Sequence, residues 1–368
     1  MNYSLKLLSE QSFGPGHYPA CGIESPDGRV VVSVGIAPEH KPYSLYSKDG
    51  GVSFDRLEDA PRSTRVPFIR LRDGSYFAVF ESNVGFRSII NYEQEKIPFV
   101  LAVHRAKSFD DIMNGKVETH FDILDIPDLC VGYGDSNNRH TGCAQTGVIE
   151  MSNGDILVMM YGQLKTDRIL CPWLKEHGPY DFYLYRTWCI VSHDKGETFE
   201  FLTTVADCNT HPIADVNAEG YCETDCVEVE PGHIVAVLRT GGHEIYSPLY
   251  VAHSYDFGKT WEAPYTVNDW GVWPRIKKLQ DGTLVISSGH IHTFLLFSSD
   301  GGITWSEACI LEECDGKWGQ SCSGYNYITE SGPGELTLVF DDPKEGIAEG
   351  DAFPRRIYVR RYAVEKSN

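Results

Sequence analysis

The sequence predicts an all-β chain folded as a six-bladed β-propeller with four antiparallel strands per blade. Three observations carry that expectation: six strand-turn-strand units built on Gly turns, an eight-residue phrase written four times, and a spacing between the two that leaves room for two more strands. Recurrence of this kind marks a repeat architecture, in which each unit is one small sheet.

The hairpins come first in each unit. They read ACGIESPDGRVVVSVG, FIRLRDGSYFAVFE, TGVIEMSNGDILVMMYG, DCVEVEPGHIVAVLR, RIKKLQDGTLVISSG and NYITESGPGELTLVF. Asp-Gly and Asn-Gly between β-rich runs are the strongest short hairpin signal, because those residues readily supply positive φ at both turn positions. The units start near residues 17, 65, 143, 221, 272 and 323 and are expected to form one propeller domain over 1–368. One strand is left over at the N-terminus, YSLKLLSE (3–10), which is expected to complete the sixth sheet and close the ring.

The repeated phrase follows the hairpin in four units: SKDGGVSF (47–54), SHDKGETF (192–199), SYDFGKTW (254–261) and SSDGGITW (298–305). Its pattern is Ser-x-Asp-x-Gly-x-Ser/Thr-aromatic. The Asp can accept backbone N–H bonds within a turn, the Gly permits the φ that the turn needs, and the aromatic can pack between sheets. Four copies at equivalent positions cannot all face one site, so Asp49, Asp194, Asp256 and Asp300 are read as structural. In the second unit VHRAKSFDD (103–111) is an eroded copy, and the sixth unit has none.

Composition bounds the function. The chain is 42% apolar and 12% aromatic over 368 residues, enough for a large core. No apolar run approaches the roughly 20 residues that span a bilayer, and the start MNYSLKLLSEQSFGPG lacks the order of a signal peptide. Eleven cysteines sit mostly in apolar strand-like runs, which suits reduced, buried thiols, so a cytoplasmic location is expected. Cys222 and Cys226 lack the second pair or the His spacing of a zinc site, so neither metal nor cofactor is expected. A net charge of -20 argues against nucleic acid or an anionic membrane as partner, so an anionic ligand must be captured locally.

In a blade the hairpin turn lies at one end, so the head of the first strand and the end of the second meet at the other. The heads offer His17, Tyr18, Arg65, Gln145, Glu223, Asp225, Trp273, Arg275, Tyr325 and Tyr327. The ends offer Glu39, His40, Glu81, Tyr161, Gln163, Arg239, His243, His290, His292, Asp341 and Asp342. Polar and aromatic groups converging on one face are how sugar sites are built.

The repeated phrase resembles the Asp box (BNR repeat) of the sialidase, or neuraminidase, superfamily, and the resemblance covers nearly the whole chain. Sialidases hold a substrate carboxylate with three arginines, attack with a Tyr activated by a Glu, and protonate the leaving group with an Asp. ETDCVEVEPGHIVAVLRT resembles the family's Glu-then-Arg hairpin, so the resemblance implies Glu223 as the activating Glu and Arg239 as a triad arginine. A Glu facing an Arg at the mouth of one hairpin also makes sense by itself, as an acid paired with an anion clamp or as a cross-strand salt bridge.

Elsewhere the pattern departs from the family. Its Arg-Ile-Pro opening is matched by His17-Tyr18-Pro19 in the first unit, and the closer look-alike, RVP (65–67), opens the second. The third arginine's place holds His290 and His292, and Phe340 stands where the nucleophilic Tyr is expected. The acid is expected among Asp135 and Glu81. Imidazoles cannot imitate the planar fork of Arg, but they titrate near neutral pH and can act as acid or base.

Three functions follow as expectations. The first is an exo-acting, sialidase-like glycoside hydrolase that releases a terminal acidic sugar from an oligosaccharide or glycoconjugate, with Glu223, Asp342, Glu81 and His290 as catalytic candidates. Arg239, Arg65, His17, Tyr18, Gln163, Trp273, His292 and Tyr325 would bind the substrate. The second is a lyase or His-dependent glycosidase on uronate oligosaccharides, and the third a sugar-binding propeller without catalysis. Insertions at 82–141 and 164–185 leave strand ends and are expected to roof the site; the second, rich in Trp, Tyr and Pro, also suits contact with a neighbouring subunit in a homo-oligomer.

Overall fold

The computed structural model describes residues 2–35, 43–81, 99–128, 142–164, 166–170, 183–213, 218–241, 247–313, 323–342 and 355–367. Strand β1 (Asn2–Pro15) precedes a first sheet of β2 (His17–Glu24), β3 (Val30–Gly35), β4 (Tyr43–Ser47) and β5 (Asp55–Leu57). The second sheet is β6 (Ile69–Arg70), β7 (Tyr76–Glu81), β8 (Phe99–Ala106) and β9 (Glu118–Leu124). The third is β10 (Gly142–Glu150), β11 (Ile156–Gly162), β12 (Arg186–Ser192) and β13 (Glu200–Ala206). The fourth is β14 (Ala218–Glu230), β15 (His233–Gly241), β16 (Leu249–Ser254) and β17 (Tyr265–Asn268). The fifth is β18 (Val272–Lys278), β19 (Leu284–Gly289), β20 (Thr293–Ser298) and β21 (Cys309–Glu312). The sixth is β22 (Tyr327–Gly332), β23 (Glu335–Asp342) and β24 (Arg356–Ser367), with β1 as its fourth strand.

These are the six four-stranded antiparallel blades of a β-propeller, as the hairpin repeat predicts. The N-terminal strand pairs with β24 from Asn2↔Ser367 to Pro15↔Arg356 and so completes the sixth sheet. By packing, the chain separates into two compact units, one of 1–70, 106–117 and 268–368 and one of 71–105 and 118–267. Each has its own core. In the first unit Val32, Leu45, Tyr327, Val339 and Ile357 form one buried cluster and Val285, Leu295, Phe297, Leu338 and Phe340 another. In the second, Leu157, Met159, Cys189, Ala236, Leu238 and Ala252 do the same.

The repeated phrase uses every residue it specifies. Ser254 Oγ accepts from Gly258 N–H (2.9 Å) and donates to Asp256 Oδ1 (2.9 Å), while Asp256 accepts from Thr260 N–H (2.8 Å) and Thr260 Oγ–H (2.7 Å). The same bonds recur around Asp49, Asp194 and Asp300. The box Gly has φ +88, +83, +81 and +89° at positions 51, 196, 258 and 302, and the residue before it is left-handed as well. The two Phe rings, Phe54 and Phe199, are buried, whereas Trp261 and Trp305 donate their indole N–H to the box Gly carbonyl at 3.0 Å. Where the eroded copy stands, Ser108 caps the short helix Phe109–Met113, its Oγ accepting from Asp111 N–H at 3.1 Å.

Hydrogen bonds to the ionised form hold the box carboxylates low: the Thr198 hydroxyl, then the Thr198 N–H, bring Asp194 down to about 2. In Asp256 burial pushes the other way and the Thr260 bonds outweigh it. A carboxylate whose folded pKa is depressed stabilises the fold above its unfolded value and loses that contribution as pH falls through the folded one. Stability, read as the urea midpoint, is therefore expected to fall from about pH 4 to about pH 2. Asp256→Ala should cost about 2–3 kcal/mol at neutral pH and blunt that acid dependence; an unchanged midpoint would contradict the assignment of this Asp to the fold.

Candidate functional site

In the second unit the site is built on β14 and β15. Cys222 pairs with Arg239, but the register slips between Ala218 and Cys222 and again between Cys222 and Asp225. Glu223 sits in the second slip with φ +40°, a left-handed backbone that a side chain bearing Cβ adopts only under constraint. The bulge turns its carboxylate onto Arg239, where Oε2 contacts Nη1. Arg239 Nε donates to the Gly241 carbonyl at 2.7 Å, and its Nη2 lies 3.9 Å from Glu219 Oε2. The three side chains are 10, 13 and 18% exposed for Glu223, Arg239 and Glu219.

Two tyrosines stand beside this group. Tyr161 at the end of β11 and Tyr185 meet edge to face, with ring centroids 5.2 Å apart. Burial, then the Glu223 charge, pushes the Tyr161 phenol well up. Tyr185 is tied to β14 by its N–H to Glu219 O (2.7 Å) and by Tyr221 N–H to its own carbonyl (3.0 Å). Gly220 between them, at φ +101°, must be Gly, because a Cβ would strike the Tyr185 backbone. Gln163 is buried and donates to the Tyr183 carbonyl, so its amide holds the chain rather than facing solvent.

In the first unit the sequence-predicted residues form an aromatic array. His17 meets Tyr18 edge-on (4.5 Å), Tyr18 meets Tyr325 (4.7 Å), and Tyr325 stacks on Trp273 (4.5 Å, 23°). Tyr18 and Trp273 repeat the backbone device of Glu223: each stands in a register slip at the head of its strand, at φ +51 and +45°. Tyr18 is 44% exposed, while Trp273 is buried, its indole N–H without a hydrogen-bond partner among the described residues. Below the array, buried Asp341 accepts from Tyr18 N–H (2.9 Å), Ser323 N–H (2.6 Å) and Arg355 Nη1 (3.2 Å). Burial holds the His17 imidazole below its usual range, against the pull of Asp341.

Other expected site residues go elsewhere. Arg65 ends a 3-10 turn (Arg62–Arg65) and is exposed, since Pro61 and Pro67 bracket that turn and the strand starts only at Ile69. His290, at φ +58°, follows the end of β19, and His292 lies edge-on to Trp270 at 5.7 Å. Arg275 Nη1 donates to the Ala20 carbonyl at 2.6 Å. Asp342 is buried opposite Arg356. Phe340 lies in the apolar core, stacked on Tyr358 with the Arg360 guanidinium over its ring, and offers no nucleophile. Glu81 ends β7, but its side chain lies outside the described residues, as do Asp135, Glu39, His40, His243 and the side chain of Gln145. Among the described residues no group of three or more metal-ligating side chains converges. Glu219, Tyr185 and Arg355 had no place in the sequence reading.

Residues 296–307 match the BNR/Asp-box repeat family. No curated protein matches the sequence. Among solved structures, a protein of unknown function from Dyadobacter fermentans is similar at 16% identity, covering 98% of this chain and all of that one, with a TM-score of 0.63. The Hadza microbial sialidase Hz136 is similar at 14% identity and TM-score 0.55; the match covers 89% of this chain and 63% of that one, so the chain spans under two thirds of its length. The NanB sialidase of Streptococcus pneumoniae is similar at 11% identity and TM-score 0.53, covering 97% of this chain and 70% of that one. With the four Asp boxes and six four-stranded blades, these matches define the class: an Asp-box β-propeller of sialidase-like fold.

Among the described residues Arg239 is a cation that pairs with both Glu223 and Glu219. Arg239→Met should therefore destabilise the protein by about 2–4 kcal/mol at pH 7. Without the guanidinium the burial and the Glu223 charge that raise the Glu219 carboxyl lose the pull that opposes them, and a raised carboxyl loses stability as pH rises. Relative to wild type, the variant should recover as pH falls from about 7 to about 5; a pH-independent deficit would contradict the charge balance drawn here.

Proposed function

We propose that the protein is a carbohydrate-active enzyme, an exo-acting glycoside hydrolase that releases a terminal acidic sugar. The observation that carries this reading is the Glu223–Arg239–Glu219 cluster, mostly buried at the mouth of the fourth hairpin and aimed by a left-handed bulge. Arg presents a planar pair of donors that fits a sugar carboxylate, and two carboxyl groups beside it are what glycoside hydrolysis needs. In its own unit the array of Tyr18, Tyr325 and Trp273 supports a sugar ligand, since pyranose rings pack their apolar faces on aromatic rings.

Phe340 favours a second reading. A buried phenyl ring where sialidases carry their Tyr removes the usual attacking group, which is what a propeller that binds sugar without cleaving it would show. The two readings separate by product. Mass spectrometry after incubation with sialosides, ulosonic-acid glycosides and uronate oligosaccharides should show a water-added product, and Arg239→Lys should lower kcat/KM by about 10²- to 10³-fold. An unsaturated product would establish a lyase instead. Binding without any product across the panel would leave the non-catalytic reading standing.

A further inference from the structure

Each sheet ends on a strand whose far edge no strand of that sheet pairs with, and such an edge offers a row of backbone donors and acceptors to another chain. Most of these edges are blunted. β5, β17 and β21 are three or four residues long, and β1 and β13 carry register shifts. β9 differs: its seven residues pair with β8 without a shift and include neither Pro nor Lys. Phe121 and Ile123 stand on one face of it at 58 and 62% exposure, the highest values for large apolar side chains among the described residues.

The edge is also held ready to pair. Ile123 N–H donates to Asp122 Oδ1 at 2.9 Å, so at the Val100–Ile123 pair the β9 amide turns away from β8. Backbone groups alternate along an antiparallel ladder, so the amides and carbonyls of Phe121 and Thr119, opposite Ala102 and His104, turn outward as well. On the other face Asp122 Oδ2 accepts from Phe199 N–H at 2.9 Å, and His120 Nε2 meets the Glu197 carbonyl at 3.3 Å. Those bonds fix β9 on the Asp box of the third blade, within the same compact unit.

What fits this edge follows from its own sequence, ETHFDIL, which is self-complementary about Phe121. In an antiparallel pairing on a two-fold axis at that residue, Phe121 meets Phe121, Thr119 meets Ile123 and His120 meets Asp122. Neighbouring registers fail. An axis at His120 sets Glu118 against Asp122, and an axis at Asp122 sets that carboxylate against its own copy. An axis at Ile123 puts Phe121 opposite Asp125, and one at Thr119 carries Ile123 past the end of the strand. In a chain of net charge -20, a register that keeps acid away from acid is the one that can form.

We propose that β9 joins two copies of this chain edge to edge, antiparallel, about a two-fold axis at Phe121. The ladder runs from Phe121 N–H to the Phe121 carbonyl and from Thr119 N–H to the Ile123 carbonyl, each in both directions. Ile123 N–H, already given to Asp122, ends it. Seven residues a side bury less than a permanent interface does, so the dimer is expected to be reversible.

Sedimentation velocity of the full chain over about 5–500 µM, the range of a weak interface, should show a monomer–dimer equilibrium. Phe121→Lys sets two ammonium groups against each other on the axis and should raise the dimer dissociation constant at least about tenfold. Its circular dichroism and urea midpoint should stay those of the wild type, because the side chain is exposed. The register has a separate test. Directly paired Cα atoms in such hydrogen-bonded positions lie about 5.5 Å apart, within disulfide reach. Thr119→Cys and Ile123→Cys should therefore give an oxidised dimer on a non-reducing gel when the two variants are mixed. Either variant oxidised alone should give no more than the wild-type background. A wild type that stays monomeric overturns the proposal and leaves the edge to a strand of another protein. A dimer that Phe121→Lys leaves intact, a mixture that does not cross-link, or cross-linking of either cysteine variant alone overturns it too.

Discussion

The candidate sites in both units depend on one backbone constraint, the left-handed residue in a bulge at the head of a blade's first strand. Tyr18, Glu223 and Trp273 all occupy it, at φ +51, +40 and +45°. A residue with Cβ in that region costs about 1–2 kcal/mol, so it persists only where surrounding bonds over-determine it. At Tyr18 the buried Asp341 carboxylate accepts a hydrogen bond from the backbone N–H, and at Glu223 the Arg239 contact holds the side chain. Bulges next to functional sites re-aim side chains that regular alternation would point into a sheet face. The same defect thus presents an aromatic ring in two blades and a carboxylate in a third.

The opposite ends of the blades carry the repeated turns. Four Asp boxes close their turns with the same set of hydrogen bonds, each using a Ser hydroxyl as donor and acceptor and both oxygens of the Asp. Such turns are satisfied locally and need nothing from the site. Their sequence is therefore free to repeat, while the strand heads differ from blade to blade. Stability and ligand chemistry are written at different ends of the same sheet, which is how one fold comes to host unrelated activities.

Local chemistry is what made much of this legible in the sequence. Hairpins and Asp boxes follow from turn residues within one blade, so they are legible from a few adjacent residues; Glu223 and Arg239 are legible as the head and end of one hairpin, although a bulge rather than regular pairing joins them. Glu219 falls outside the sequence-expected unit, which starts near residue 221, whereas β14 begins at Ala218 and passes through two register slips before Asp225. Arg65 was read as a strand head because its Arg-Val-Pro resembles one, but Pro on both sides makes a 3-10 turn there. Asp341 was visible as a polar strand end, yet its work as an acceptor for Tyr18, Ser323 and Arg355 depends on partners from 14 to 323 residues away. Phe340 was the informative mismatch, and its burial among apolar side chains explains why no phenol is needed at that position for the fold.

The chemistry centres on a buried cation shared by two acids, with tyrosines raised by the same burial nearby. In the proposed function Arg239 is the local cation on which a protein of net charge -20 would capture an anionic sugar. The most direct test is a crystal structure of the protein soaked with a 2,3-unsaturated sialic-acid analogue. The analogue's carboxylate is expected on the Arg239 guanidinium with a ring oxygen or hydroxyl beside Glu219. A ligand bound elsewhere, with Arg239 still closed on Glu223, would contradict it.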